Sequence, residues 1–106
     1  MKKISSKRQI AERHYRRVCA EIDAEESTCF FCGRPIDETR HHHHLDGRDG
    51  ELFTDKSNIV LVHGYCHRRW HDVALSDLSK EYWWDDFMAR LKERNINLYN
   101  RINFKL

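Results

Sequence analysis

The chain lacks any apolar run approaching the length of a membrane span. It begins Met-Lys-Lys-Ile-Ser-Ser, without the apolar stretch of a secretion signal. It carries no internal repeat, and no low-complexity segment apart from a run of histidines, His41 to His44. Apolar material is scarce as well: 40% of the 106 residues are hydrophobic and 34% are charged. That length excludes two ordinary cores, so one small, very polar domain over residues 1–106 is expected. A core this thin commonly needs a staple, and a bound metal is one. With no sign of export, the expected location is the cytoplasm, where thiols stay reduced. The four cysteines then read as metal ligands rather than as disulfides.

What is present is a concentration of metal-ligand residues. Cys29-Phe-Phe-Cys32 is C-x2-C, and His63-Gly-Tyr-Cys66 is H-x2-C. Thiolate and imidazole are the donors that tetrahedral zinc prefers, and four of them leave no position open for a substrate. Cys29, Cys32, His63 and Cys66 are therefore expected to form a structural zinc knot, with Gly33 permitting the turn after the knuckle. Cys19 is left over, as a helix residue.

A second set is interleaved with the first. His67 and His71 are spaced i, i+4 and would share one face of a helix. Cys66 and His67 point about 100° apart on such a helix, so the two sets need not compete. A third ligand must come from another element, and His43 on a preceding strand is the choice. Strand alternation sends His44 to the opposite side of the backbone, free to act as a base. Imidazole suits deprotonation of water near neutral pH, and a divalent cation can stabilise a leaving oxygen. Asn58 can steady the base through its backbone or its amide. Arg48, Lys56, Arg68 and Arg69 are placed in sequence to hold neighbouring phosphates.

The net charge of +2 hides an asymmetry. Residues 1–20 carry Lys2, Lys3, Lys7, Arg8, Arg13, Arg16 and Arg17 against Glu12. A basic arm of this kind fits a polyanion, with Arg13, Arg16 and Arg17 as candidate contacts, or else is a solvated helix face. The expected arm is a helix capped by Ser5 or Ser6 and running to residue 23–25. Its apolar stripe is Ile10, His14, Val18 and Ile22, with Tyr15 and Cys19 beside it.

Strands are expected at about Thr39 to His44 and Asn58 to Val62, with turn chemistry over residues 45–50 between them. Leu52-Phe53 reads as a short strand or packed loop. A helix from about Tyr65 to Leu75 completes a unit over residues 29–75. Another helix, capped by Ser76 or Ser79, should bury Trp84, Phe87, Met88 and Leu91 at i, i+3, i+4, i+7. After Asn95 the pattern is weak and reads as loop or short strand. Trp70, Trp83 and Trp84 are expected to pack rather than to stack on bases, and Asp85 and Asp86 to be solvated.

His43-His44-Leu-Asp-Gly, Ser57-Asn58-Ile-Val-Leu-Val-His63, and Cys66-His67 with His71 together resemble the HNH nuclease family. The nearest likeness is to zinc-bearing HNH domains of group II intron-encoded proteins and small phage endonucleases. It covers about Cys29 to His71, under half of the chain. The resemblance implies an α+β fold with a small ββα-metal core, a zinc knuckle, and flanking N- and C-terminal helices outside the motif. It implies metal-dependent cutting or nicking of DNA. His44 would be the general base, Asn58 the residue that orients it, and His43, His67 and His71 the ligands of a catalytic Mg2+, Mn2+, Ni2+ or Zn2+. The partner would be double-stranded DNA, bound with low sequence specificity, by a monomer or dimer acting alone or beside phage or mobile-element machinery. Four consecutive histidines depart from the family's single pair, so the alternative register makes His41 the ligand and His42 the base. The span from His43 to Asn58 and the turn at Gly47 favour the later pair. A non-catalytic zinc-containing nucleic-acid-binding module is the competing function, and a purely structural second metal site is another.

Overall fold

The computed structural model describes residues 6–106. Ser5, Lys2 and Lys3 lie outside the described residues. The order is α1 (Ser6–Glu25), β1 (Arg40–His44), β2 (Ile59–His63), α2 (Gly64–Asp72), α3 (Leu75–Leu78), α4 (Trp84–Arg94) and α5 (Ile96–Lys105). Two short 3-10 turns, Gly50–Phe53 and Lys56–Asn58, lie between the strands. The architecture is α+β: one two-stranded antiparallel sheet among several helices.

β1 and β2 pair in a register that sets His43 opposite Val60 and His44 opposite Ile59. Ile59, Val60, Leu61 and Val62 are all wholly buried, because α1 packs on β2 while α2 packs against both strands. A strand covered on both faces is uniformly apolar rather than alternating, and β2 reads that way. Side chains of β1 alternate as a pleated strand requires. His43 turns toward Phe31, Trp70 and α2, and His44 toward Tyr15 of α1.

Phe31, Phe87, Leu61, Leu78 and Leu91 are the fully buried centre, and Phe31 links Trp70 to Phe87 with ring centroids 5.1 and 5.3 Å away. Trp83 and Trp84 are buried and Trp70 is half-buried against this cluster, so all three pack. α4 buries Trp84, Phe87, Met88 and Leu91, the expected stripe. Asp85 and Asp86 sit exposed in its first turn, where carboxylates favour the positive end of the helix dipole.

Several expectations need correction. α1 buries only Val18, Cys19 and Ile22. Ile10 and His14 are exposed, so the N-terminal half of α1 stands clear of the core instead of packing along its whole stripe. β2 starts at Ile59, because Asn58 belongs to the preceding 3-10 turn and its side chain is used there. Leu52-Phe53 takes the packed-loop alternative, in a 3-10 turn with Phe53 against Tyr15 and His44. The helix expected to reach Leu75 ends at Asp72, where Val73 takes up extended dihedrals and α3 then buries Leu78. α4 starts at Trp84, after neither Ser76 nor Ser79. The segment after Asn95 is helix α5, not loop or strand. Asn95 caps it by accepting from the Leu98 amide, and Leu98 and Ile102 are buried one turn apart as α5 packs on α4. None of the helices is long and apolar enough to cross a membrane, among the described residues.

Candidate functional site

Cys29, Cys32, His63 and Cys66 each place a ligand atom within 4.8 Å of the others. The backbone builds this cluster. The Cys29 amide donates to Arg34 O at 2.9 Å, the Gly33 amide to Cys29 O at 2.9 Å, and Gly33 takes φ 77° to close the knuckle. The Phe30 amide donates to Leu61 O at 2.8 Å, which ties the knuckle to β2. Arg90 of α4 donates Nε to Phe30 O at 3.0 Å and Nη2 to Phe31 O at 2.8 Å, holding the far side. His63 lies at the end of β2 and Cys66 one turn into α2, so strand, helix and knuckle meet at one point.

The chemistry of the donors fits a metal. His63 Nε2 donates to Pro35 O at 3.2 Å, which leaves the Nδ1 lone pair facing Cys32 Sγ at 3.2 Å and Cys66 Sγ at 4.0 Å. Such an outer hydrogen bond orients a ligating imidazole. The Cys66 thiol donates to Cys29 and pulls its thiol down to about 4, against burial and with help from the amides of His63, Cys32 and Phe31. The same hydrogen bond pushes Cys66 up, and burial pushes Cys32 up. The cluster can hold a structural metal such as zinc, with all four positions filled by protein. Cys19 is buried in α1 beside Tyr15, away from this cluster.

His43, His67 and His71 form the other group, again with ligand atoms within 4.8 Å of one another. His67 and His71 are a turn apart on α2 with their Nε2 atoms at 3.1 Å. His43 reaches them from β1, its ring centroid 5.0 Å from His67 and 5.5 Å from His71. Burial, reinforced by the neighbouring imidazoles, pushes His43 down to about 3, and burial also lowers His67. All this favours neutral imidazole, the form that ligates metals. His43 Nε2 is buried and has no hydrogen-bond partner. An orphaned buried nitrogen is costly unless something electrophilic meets it, so this donor set fits a divalent cation. His71 is exposed, so this group opens to solvent, whereas the cysteine cluster has two buried and two half-buried members.

His44 leaves β1 on the other side. It is buried in a cluster of three near-parallel rings, with Tyr15 at 5.3 Å and Phe53 at 5.7 Å between ring centroids and those two 4.8 Å from each other. Its Nε2 donates to Phe53 O at 3.0 Å, which assigns the lone pair to Nδ1. Burial lowers its proton affinity, the Arg48 charge adds to that, and the bond to Phe53 O opposes it. Asn58 makes no hydrogen bond to His44. Its Oδ1 accepts from the Asp46 amide at 2.8 Å, and its Nδ2 donates to Gly47 O at 2.8 Å and Leu52 O at 3.0 Å. Its own carbonyl accepts from the Leu45 amide at 2.8 Å. Asn58 therefore pins both ends of the loop that delivers Phe53 O to His44. Asn58→Ala should lower stability by about 3 kcal/mol, since each polar group stranded away from water costs about 1–3 kcal/mol. Urea unfolding measures it. A loss under about 1 kcal/mol would mean that water replaces the amide and that the loop does not depend on it.

Of the other two histidines, His41 is exposed with its ring 6.4 Å from that of His67, and His42 Nε2 bonds Asp23 Oδ1 at 2.9 Å. Neither belongs to either group of candidate metal ligands among the described residues. Of the basic residues, Arg13, Arg16, Arg17, Arg48 and Arg68 are exposed. Lys56 is held by Glu25 at 2.8 Å and Glu21 at 3.5 Å, and Arg69 pairs with Glu81. These two, expected to hold neighbouring phosphates, have carboxylate partners. The sequence does not mark the roles of Tyr15 and Phe53 beside His44, of Asp46 on Asn58, or of Arg90 and Arg94 on backbone carbonyls. Arg94 donates to Ser57 O at 2.9 Å and Arg101 bonds Asp46 Oδ1 at 2.7 Å, so α4 and α5 brace the same loop. No local pattern marks an arginine that serves a carbonyl dozens of residues away.

No family model matches the chain, and no curated protein or solved structure matches it either.

Proposed function

We propose that the chain is a metal-dependent DNA nuclease of the HNH type, with β1, β2 and α2 as a ββα-metal core. The observation that carries this reading is the convergence of His43, His67 and His71, open to solvent at His71, beside a fourth histidine whose Nε2 is tied to a carbonyl. Three protein ligands leave a position for substrate or water, which is the donor arrangement of a catalytic centre rather than a structural one. His43, His67 and His71 would hold the cation. Mg2+, Mn2+, Ni2+ or Zn2+ bound there supplies electrophilic stabilisation of the leaving oxygen.

The chain's own residues do the rest. His44 Nδ1 takes a proton from water, and the resulting hydroxide attacks phosphorus as the P–O3′ bond breaks. The leaving oxygen is protonated from solvent. Phe53 O keeps the proton on Nε2 and so keeps Nδ1 basic. Consecutive residues at the end of β1 serve one phosphodiester if it lies across that strand end. Arg13, Arg16 and Arg17 offer charge to the DNA backbone, with Arg48 and Arg68 nearer the histidines in sequence. Few base contacts are available to so small a chain, so sequence preference is weak.

Purified zinc-loaded protein should nick or linearise supercoiled plasmid only when a divalent metal is added, followed on agarose gels across a metal titration. Intact plasmid with each of the four metals, in the presence of measurable DNA binding, would leave the non-catalytic nucleic-acid-binding module as the reading.

A further inference from the structure

Two neighbouring grooves lie on the face that carries α2. One, of about 440 Å³, is lined by His41, Gly64, His67 and Arg68 together with Glu38 and Tyr65. The other, of about 410 Å³, lies over the cysteine cluster and is lined by Arg34, Arg69, Glu81 and Tyr82 together with the same Glu38 and Tyr65. They adjoin at these shared residues, so a strand that passes over Tyr65 would follow both as a track. It starts at His67, a member of the histidine group, and leads away from it past Arg68 to Tyr65 and Tyr82.

Those tyrosines are the unusual feature. Tyr65 is 62% exposed and Tyr82 67% exposed, in a protein whose tryptophans are half-buried or buried. Each has an arginine over one face of its ring: Arg69 at 5.8 Å from Tyr65, and Arg34 at 5.1 Å from Tyr82. A guanidinium over a ring is held by the ring's quadrupole and steadies the ring in turn. The track carries Arg34, Arg68 and Arg69 against Glu38 and Glu81, and Glu81 is paired with Arg69. Its chemistry is thus cationic with exposed aromatic faces. That combination suits single-stranded nucleic acid, whose bases stack on aromatic rings while its phosphates seek positive charge. A rigid duplex offers its stacked bases no such access.

We infer that this track binds unpaired nucleotides flanking the cut site, with bases stacked on Tyr65 and Tyr82 and backbone along Arg68 and Arg34. The inference rests on the nuclease reading for the end of the track at His67, and it makes the preferred substrate a duplex with an unpaired tail or flap.

The test is equilibrium binding, which does not require cleavage. Fluorescence anisotropy is measured with zinc-loaded protein and no further divalent metal, and oligonucleotide integrity is checked on denaturing gels. The probes are a blunt DNA duplex, the same duplex with an unpaired DNA tail, and the same duplex with an RNA tail. The protein should bind tailed duplex about tenfold more tightly than blunt duplex, the scale of one or two stacked bases. Tyr65→Ala/Tyr82→Ala should erase that preference and leave blunt-duplex affinity unchanged, and Tyr65→Phe/Tyr82→Phe should keep it. Both residues are exposed, and unaltered zinc content and circular dichroism confirm that each variant folds; the single Tyr82→Ala variant, outside the helices, should show a partial loss by itself. Equal preference for DNA and RNA tails supports stacking as the shared recognition. No preference for a tail in the parent protein overturns the inference, as does a preference that survives the double alanine variant or an equal loss on blunt duplex. Tail-dependent binding by a protein that cuts nothing would sink the nuclease reading and leave the track; cutting without tail preference would do the reverse.

Discussion

Cys29→Ser and Cys66→Ser should each abolish the cooperative fold, giving insoluble protein or a chain without a thermal transition. The Cys29–Cys32–His63–Cys66 cluster joins the knuckle, the end of β2 and the start of α2, and Phe31, between the two knuckle cysteines, is fully buried at the centre of the aromatic core. Structural zinc sites supply apparent binding energies of about 10–16 kcal/mol at neutral pH, while whole small domains are stable by about 5–15 kcal/mol. A core of this size cannot absorb the loss of such a site. Metal analysis should find one tightly bound zinc per chain in the cysteine cluster, and chelation should unfold the protein. A zinc-free preparation that melts cooperatively would show that apolar packing alone carries the fold and that the cluster is not a knot. Cys19→Ser is the control. Cys19 is buried in α1 but outside the cluster, so the variant should keep its zinc and its transition.

His44→Ala should lower plasmid cleavage by about 10²–10⁴, the scale of losing a positioned general base, while zinc content, DNA affinity and the metal dependence stay near those of the parent. The reason is geometric. His44 sits on the other side of β1 from His43, in contact with Tyr15 and Phe53, so its removal leaves the His43–His67–His71 group complete. His43→Ala and His67→Ala should behave differently. Each deletes a ligand, so activity should fall with a rightward shift of the metal titration and recover in part at high metal. Added imidazole should rescue His44→Ala more than either ligand variant. The alternative register makes the opposite claim, that His42→Ala is the dead but metal-loaded variant. His42 is bonded to Asp23 on α1 and His41 lies outside the metal group, so their alanine variants should cut nearly as well as the parent. Full activity in the alanine variants of His41, His42, His43 and His44 alike would remove the catalytic reading altogether.

Much of this was legible in the residues because short-range rules governed it. C-x2-C and H-x2-C bring thiolates and imidazole together within one turn each, whatever the rest of the chain does. The i, i+4 spacing of His67 and His71 becomes a shared helix face through α-helical geometry alone, and their Nε2 atoms are 3.1 Å apart. Alternation along a strand separates His43 from His44 for the same kind of reason. The stripe Trp84, Phe87, Met88 and Leu91 was readable because four large apolar residues at helical spacing have few other uses. The segment after Asn95 was not readable. Its two buried residues, Leu98 and Ile102, gain meaning only once α4 presents a surface to cover.

The sequence by itself determined the local chemistry: which side chains can ligate a metal, which share a face, and where the backbone turns at Gly33. Only the tertiary structure decided which histidine of the run His41 to His44 joins His67 and His71, because the register of β1 on β2 depends on the burial of the whole of Ile59–Val62. It also decided that Asn58 acts on a loop rather than on His44, and that Lys56 and Arg69 are engaged by carboxylates from distant segments. Spacing rules reach across about one helical turn or one strand pair. Contacts between residues dozens of positions apart depend instead on how elements pack, and packing is settled by the burial of the whole core at once.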